Sequence, residues 1–167
     1  IIPIRPRNVI PYSASTSVVS VLVATASTRS APLAIRCASD KQKLKYFFNS
    51  HKFLSNDEIA EFNPDLLINA VTLNNTVKVF TEIRPFLNGN CILADITSVQ
   101  NGLLSYYKEC GMRYVSTHPM FGPTFGNIKD LSKENAIIIK ESDEEGKQFF
   151  RKFYKSLNLS IYEYTFE

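Results

Sequence analysis

Leu66-Leu67-Ile68-Asn69-Ala70-Val71 is the stretch that decides the fold. A strand with one wet face alternates apolar and polar side chains, whereas a run this nearly continuous reads as a strand covered on both faces. Upstream, Ser55-Asn56-Asp57-Glu58 reads as a capping box opening a short helix that ends before Pro64. Before it, residues 41–49 read as a helix with Leu44, Phe47 and Phe48 on one face. Downstream, residues 75–86 predict a helix burying Val79 or Phe80, Ile83 and Phe86, and residues 91–94 a second buried strand.

The alternation continues to the end of the chain. Ser98 is expected to cap a helix running through Cys110, with Val99, Leu103, Tyr106 and Cys110 as its apolar face. A strand at 113–117 then precedes a loop over 118–134 and another strand at 136–139. Ser142-Asp143-Glu144-Glu145 reads as a further capping box. Its helix is expected to turn Phe149, Phe150, Phe153 and Leu157 inward, and residues 160–164 to close the sheet as an edge strand. Strand and helix in alternation predict an α/β fold: a doubly wound, mostly parallel, Rossmann-type sheet with helices on both faces and an aberrant or missing first βα unit.

Composition changes sharply near Asp40. Residues 1–40 hold four arginines, one acid, four of the eight prolines and no lysine, and only two short segments near 18–26 and 33–37 look like strands. They read as an irregular leader or a degraded first βα unit, such as a frameshifted or misassigned start would produce. Residues 41–167 read as the folded body. All of the net charge of +3 lies in that leader. The neutral body therefore lacks the basic stripe of a nucleic-acid binder. No apolar stretch approaches the ~18 residues of a membrane span. Cys37, Cys91 and Cys110 are scattered without metal-ligand spacing, as in a reduced, cytoplasmic protein with no metal site.

In sheets of this kind the ligand lies beyond the carboxyl ends of the strands. Those ends bring Thr72-Leu73-Asn74, Asp95-Ile96-Thr97-Ser98 and His118 to one rim. His118 is followed by Pro119, which holds it extended, and a neutral imidazole there can accept a proton. Standing alone, it would read as a turn histidine; the other two strand ends make it a candidate base. One expected feature is missing. A dinucleotide-binding sheet begins with a Gly-x-Gly-x-x-Gly turn, and this chain has no glycine before Gly89. The nearest candidate for an acidic partner to a ribose is Asp40 or Ser39, for which a plain surface role is the favoured reading.

Residues 67–72, 95–100 (Asp-Ile-Thr-Ser-Val-Gln) and 116–123 (Ser-Thr-His-Pro-Met-Phe-Gly-Pro) closely resemble the prephenate/arogenate dehydrogenases of tyrosine biosynthesis, nearest to a Bacteroidetes-like branch. The resemblance covers roughly 41–167. It implies an NAD(P)-binding domain, normally followed by an all-helical dimerisation domain. The implied reaction is oxidative decarboxylation of prephenate to 4-hydroxyphenylpyruvate, or of arogenate to tyrosine, with NAD or NADP, in a homodimer. By the same resemblance His118 accepts the ring-hydroxyl proton and Ser98 orients that hydroxyl. Ala70, Val71, Thr72 and Asp95 fall on the cofactor side. Loss of CO2 is driven by aromatisation, so the protein's main task is positioning.

Three departures qualify this. Gln100 stands where the family has a lysine, the glycine turn is absent, and the helical domain does not follow within the chain. The expectation is a fragment with little turnover by itself. A non-catalytic α/β binding module that has lost its cofactor site is the alternative. A different β-hydroxyacid-type dehydrogenase would need a lysine or a second glycine pair at the rim, which the sequence lacks.

Overall fold

The computed structural model describes the backbone of strands β1 (Ser20–Ala24), β2 (Ala34–Cys37) and β3 (Lys52–Phe53), and residues 56–71, 73–98, 102–121 and 131–166. The helix expected over 41–49 lies outside the described residues. From residue 56 the order is α1 (Asn56–Phe62), β4 (Leu66–Asn69), α2 (Thr76–Ile83), β5 (Ile92–Asp95), α3 (Leu103–Cys110), β6 (Tyr114–Pro119), β7 (Asn135–Ile139), α4 (Glu144–Ser156) and β8 (Ser160–Tyr164).

All eight strands form one sheet in the order β3-β2-β1-β4-β5-β6-β7-β8. The first six positions follow the doubly wound order 3-2-1-4-5-6. β4, β5 and β6 pair in parallel, as do β2 with β3 and β7 with β8. β1 is antiparallel to both β2 and β4, and β7 is antiparallel to β6. Five strands therefore share one direction, and β1 runs against them from inside the sheet. Connection length gives the reason. Only residues 25–33 separate β1 from β2. A parallel crossover needs roughly a dozen residues or more, usually with a helix, so a link this short favours an antiparallel pair.

Two apolar clusters confirm the double cover expected of Leu66–Asn69. Leu67 and Leu93 pack with Ile59, Val79, Phe80, Ile83, Leu103 and Tyr107 beneath α1, α2 and α3. Leu66, Ile92, Ala94 and Val115 point the other way, to Phe150 and Tyr154 of α4. Successive side chains on one strand alternate between the two cores, as the pleat requires.

Several element boundaries differ from expectation, each for a local reason. α2 buries Thr76, Val79, Phe80 and Ile83, but Phe86 falls in a 3-10 turn, Arg84–Phe86, and is only half-buried. Pro85 has no N–H for the carbonyl four residues back, so the α-helix ends there. α3 starts at Leu103, not after Ser98. Gly102 sits at φ +78, a left-handed conformation that no continuing helix contains, so Ser98 is not its cap. The inward tyrosine of α3 is Tyr107, with Tyr106 half-buried beside it.

α4 is capped by Asp143, whose carboxylate accepts from the amides of Glu145 at 3.0 Å and Gly146 at 3.2 Å. Ser142, the expected cap, is drawn off to accept from the Ser116 amide at 3.0 Å. Gly146, Phe150 and Tyr154 form the buried stripe of α4; Phe149 is exposed, correcting its expected inward position, while Phe153 and Leu157 pack at the margin. Finally, β6 runs two residues further than expected, so His118 lies within it. Cross-strand pairs Thr117 with Ile138 and His118 with Ile137 hold that extension.

Two outcomes follow from this packing. A methyl group on Gly146 would meet the Cβ of Val115 at 2.8 Å, closer than side chains approach. Gly146→Ala should therefore cost about 1–3 kcal/mol in denaturant unfolding by overpacking, despite alanine's better helix propensity. The second concerns Asp143, which Arg113 grips with two hydrogen bonds of 2.8 and 2.9 Å. Burial pushes this carboxyl up, but the guanidinium and the two cap amides outweigh it and hold it below its ordinary 3.8. A depressed folded value contributes stability that is present above the unfolded value and lost as pH falls through the folded one. The stability gap between the native chain and Asp143→Asn, which keeps a capping side chain, should close as urea melts are repeated from pH 6 down toward pH 3; a gap constant with pH would refute the ion-pair assignment.

Candidate functional site

The parallel register of β4, β5 and β6 aligns Asn69 with Asp95 and Asp95 with Ser116 across the sheet. Alternation places Asn69, Asp95, Ser116 and His118 on the face covered by α2 and α3. His118 stands two residues beyond the end of β5, roughly 6–7 Å further along at the usual strand rise.

Each strand end is fixed from behind. Fully buried Asn69 donates to the Thr76 carbonyl at 3.0 Å, and its side-chain oxygen accepts from the Val71 amide at 3.3 Å. This ties β4 to the start of α2 and shapes the segment holding half-buried Ala70 and buried Val71. Thr72 lies outside the described residues. Among the described residues, the buried Thr76 hydroxyl, at the first turn of α2, has no hydrogen-bond partner.

Asp95 has no exposed surface. One carboxylate oxygen accepts from the Thr97 amide at 3.1 Å and the Thr97 hydroxyl at 2.7 Å; the other accepts from Tyr107 at 2.7 Å. Burial pushes its carboxyl above the ordinary range, against the pull of those donors and of Ser116. The sequence placed Asp95 among cofactor-side residues. The structure turns its carboxylate inward, so what it does for the rim it does by shaping the turn that carries exposed Ser98.

His118 is half-buried. Burial lowers its imidazole below the ordinary 6.5, and the charge of Asp95 opposes this without cancelling it. That shift favours the neutral ring, the state a proton acceptor needs. Beside it on the same face lie its cross-strand partner Ile137 and then Tyr162, about half exposed, an apolar shelf along the sheet. The buried Cys91 thiol is pushed up to about 12 and offers no thiolate. Among the described residues no group of His, Cys, Asp or Glu is placed to hold a metal, and no helix is long and apolar enough to cross a membrane.

The structure thus brings Val71, Ser98 and His118 to one edge and adds Asn69, Thr97 and Tyr107 as their supports. The signal for Asn69 was present: a lone amide inside an apolar run must find a partner. Tyr107 carried no such signal, because two adjacent tyrosines share the helix and only packing selects one.

A nicotinamide dinucleotide fits one half of this rim and not the other. At the β4–α2 junction the Thr76 hydroxyl retains unused hydrogen-bonding capacity. At β1 the strand direction is wrong: Ser20 lies level with Cys37, next to the rim, while Ala24 pairs with Leu66 at the opposite edge. The chain therefore leaves β1 away from His118, and no glycine-bearing turn follows it.

Known proteins share the sequence pattern and the fold. The family model described as prephenate dehydrogenase, nucleotide-binding domain, matches residues 37–159. A probable arogenate/prephenate dehydrogenase of Methanocaldococcus jannaschii is 31% identical over 110 residues, which is 64% of this chain and 24% of that protein. An arogenate dehydrogenase from Synechocystis superposes with a TM-score of 0.62 at 12% identity, covering 75% of this chain and 49% of that one. A prephenate dehydrogenase from Aquifex aeolicus, in complex with hydroxyphenyl propionate and NAD+, superposes at 0.55 with 14% identity, covering 69% and 43%. The chain spans about a quarter of the length of the curated relative and under half of the two solved chains. With the Asp95–Ser98 turn and His118 on one rim of a doubly wound sheet, and most of this chain matched by the family model, the chain belongs to the prephenate dehydrogenase nucleotide-binding domain family.

Proposed function

We propose that this chain is the nucleotide-binding portion of an oxidoreductase that oxidatively decarboxylates prephenate to 4-hydroxyphenylpyruvate, or arogenate to tyrosine, with NAD or NADP. The observation that carries the reading is the half-buried His118 on the strand-end rim, beside the turn that exposes Ser98. Nicotinamide, when bound, supplies the hydride acceptor. His118 takes the proton of the ring hydroxyl, and Ser98 orients that hydroxyl by hydrogen bonding. By the family resemblance, Val71, with Ala70 and Thr72, would border the nicotinamide. The Ile137–Tyr162 shelf gives an aromatising ring an apolar surface to lie on.

The family resemblance carries with it a cytoplasmic setting, a homodimeric intact enzyme and a helical domain completing the substrate site. A chain without such a domain should turn over far more slowly than an intact enzyme. A second reading, a non-catalytic α/β module, is favoured by the reversed β1. An assay with prephenate or arogenate and each cofactor separates the two: slow turnover abolished in His118→Gln supports the enzyme, and identical background rates in both chains support the module.

Two further outcomes belong to this reading. General-base catalysis contributes typically 10²–10⁴-fold, so His118→Gln should lower any measured rate by about that factor and Ser98→Ala by less. The chain has two histidines, so the His118 ring signals are assigned by comparing NMR spectra of the native chain and the variant. Their titration midpoint should lie below 6.5 and fall further in Asp95→Asn, which removes the opposing charge. A midpoint above 6.5 would leave the base protonated through much of the neutral range and sink the assignment.

A further inference from the structure

A doubly wound sheet holds a dinucleotide with two mononucleotide-binding halves that meet where the strand order reverses, and the pyrophosphate sits on the helix N-terminus that follows the first strand. That design requires β1 to run toward the rim. Here β1 occupies the central position between β2 and β4, yet runs the other way, with Val21 opposite Asn69 and Ala24 opposite Leu66. Whatever follows β1 starts at the edge remote from His118. The first 88 residues also contain no glycine, so no backbone there can approach a pyrophosphate unhindered by a Cβ. Sequence and topology exclude the same contact independently.

The other half is intact. β4, β5 and β6 are parallel and in register at Asn69, Asp95 and Ser116. Asn69 anchors the β4–α2 segment, and the Asp95 network anchors the turn to Ser98. The unpartnered Thr76 hydroxyl lies behind the first of these.

We propose that the chain carries a mononucleotide half-site, which takes the nicotinamide ribotide end of a dinucleotide over β4–β6 and draws no affinity from the adenosine diphosphate end. The proposal rests on the family reading for the identity of the ligand as a nicotinamide nucleotide. It assigns the site a ligand class, nicotinamide mononucleotides, that a complete two-half sheet would disfavour against the dinucleotide. NAD and NADP become equivalent ligands, because the 2′-phosphate that separates them belongs to the half that makes no contact.

The test titrates the full chain with nicotinamide mononucleotide, NAD, NADP and ADP-ribose, reading the His118 ring signals by NMR. The first three should bind with dissociation constants within about threefold of one another, and ADP-ribose should neither bind nor compete. NAD binding more than about tenfold tighter than the mononucleotide, about 1.4 kcal/mol, or displacement of either by ADP-ribose, overturns the proposal. So does silence toward all nicotinamide ligands, since no half-site then exists. A parallel turnover assay of the native chain and His118→Gln separates this from the function. If NAD binds more than about tenfold tighter than the mononucleotide while turnover depends on His118, the half-site fails and the functional reading stands. If the mononucleotide binds as expected while both chains show identical background rates, the half-site stands and the functional reading falls.

Discussion

The buried carboxylate of Asp95 is the constraint on which the rest of the rim depends. An ionised carboxylate is acceptor-only, and an unpaired one in a protein interior costs several kcal/mol. Here the Thr97 amide, the Thr97 hydroxyl, Tyr107 and Ser116 converge on it. Its backbone carbonyl accepts from the Thr117 hydroxyl at 3.1 Å, and that hydroxyl shares a 2.8 Å hydrogen bond with Tyr154. One residue at the end of β5 is therefore bonded to α3 on one face of the sheet and, through Thr117, to α4 on the other. Removing any donor would leave a buried carboxyl oxygen unsatisfied where water cannot reach it, so the turn to Ser98 and the step to His118 have little freedom to drift. The same charge acts on His118 through space. Burial alone would lower the imidazole further, and Asp95 moderates that.

What could be read from the chain beforehand was whatever depends on periodicity. The strand at Leu66–Asn69 reads as buried on both faces because nothing in it except Asn69 tolerates water, and the two cores lie where that implies. The order of strand ends put Ser98 and His118 on one rim for the same reason. Helix starts were less legible, because several side chains compete for the same amides. Ser142 and Asp143 both make good caps. Asp143 prevails because Arg113 is placed to hold it, a partner thirty residues away that no local pattern reveals. At Ser98 the capping signal was genuine as chemistry but preceded a glycine in left-handed conformation, and the helix waits until that residue is passed.

Strand direction was the other illegible feature, and its cause is steric rather than chemical. The segments at Ser20–Ala24 and Ala34–Cys37 have strand composition, and composition is silent about direction. Direction follows from what joins them. A connection spanning only residues 25–33 has no room for the helix that a parallel crossover carries, so the pair closes as antiparallel strands.

The sheet accepts this reversal because a strand's amides and carbonyls are satisfied in either direction, and its side chains alternate between the two faces either way. Direction instead governs which end of the strand meets the rim, and that is a property of the site rather than of the fold. A Rossmann-type sheet can thus keep its strand order, both cores and its β4–β6 register while one strand inverts. The energetics of folding register almost nothing, and the geometry of ligand binding changes at the one strand end where a dinucleotide needs its pyrophosphate held. In this chain the separation falls between β1 and β4, so Val71, Ser98 and His118 keep their supports while the neighbouring half of the rim does not face the same ligand.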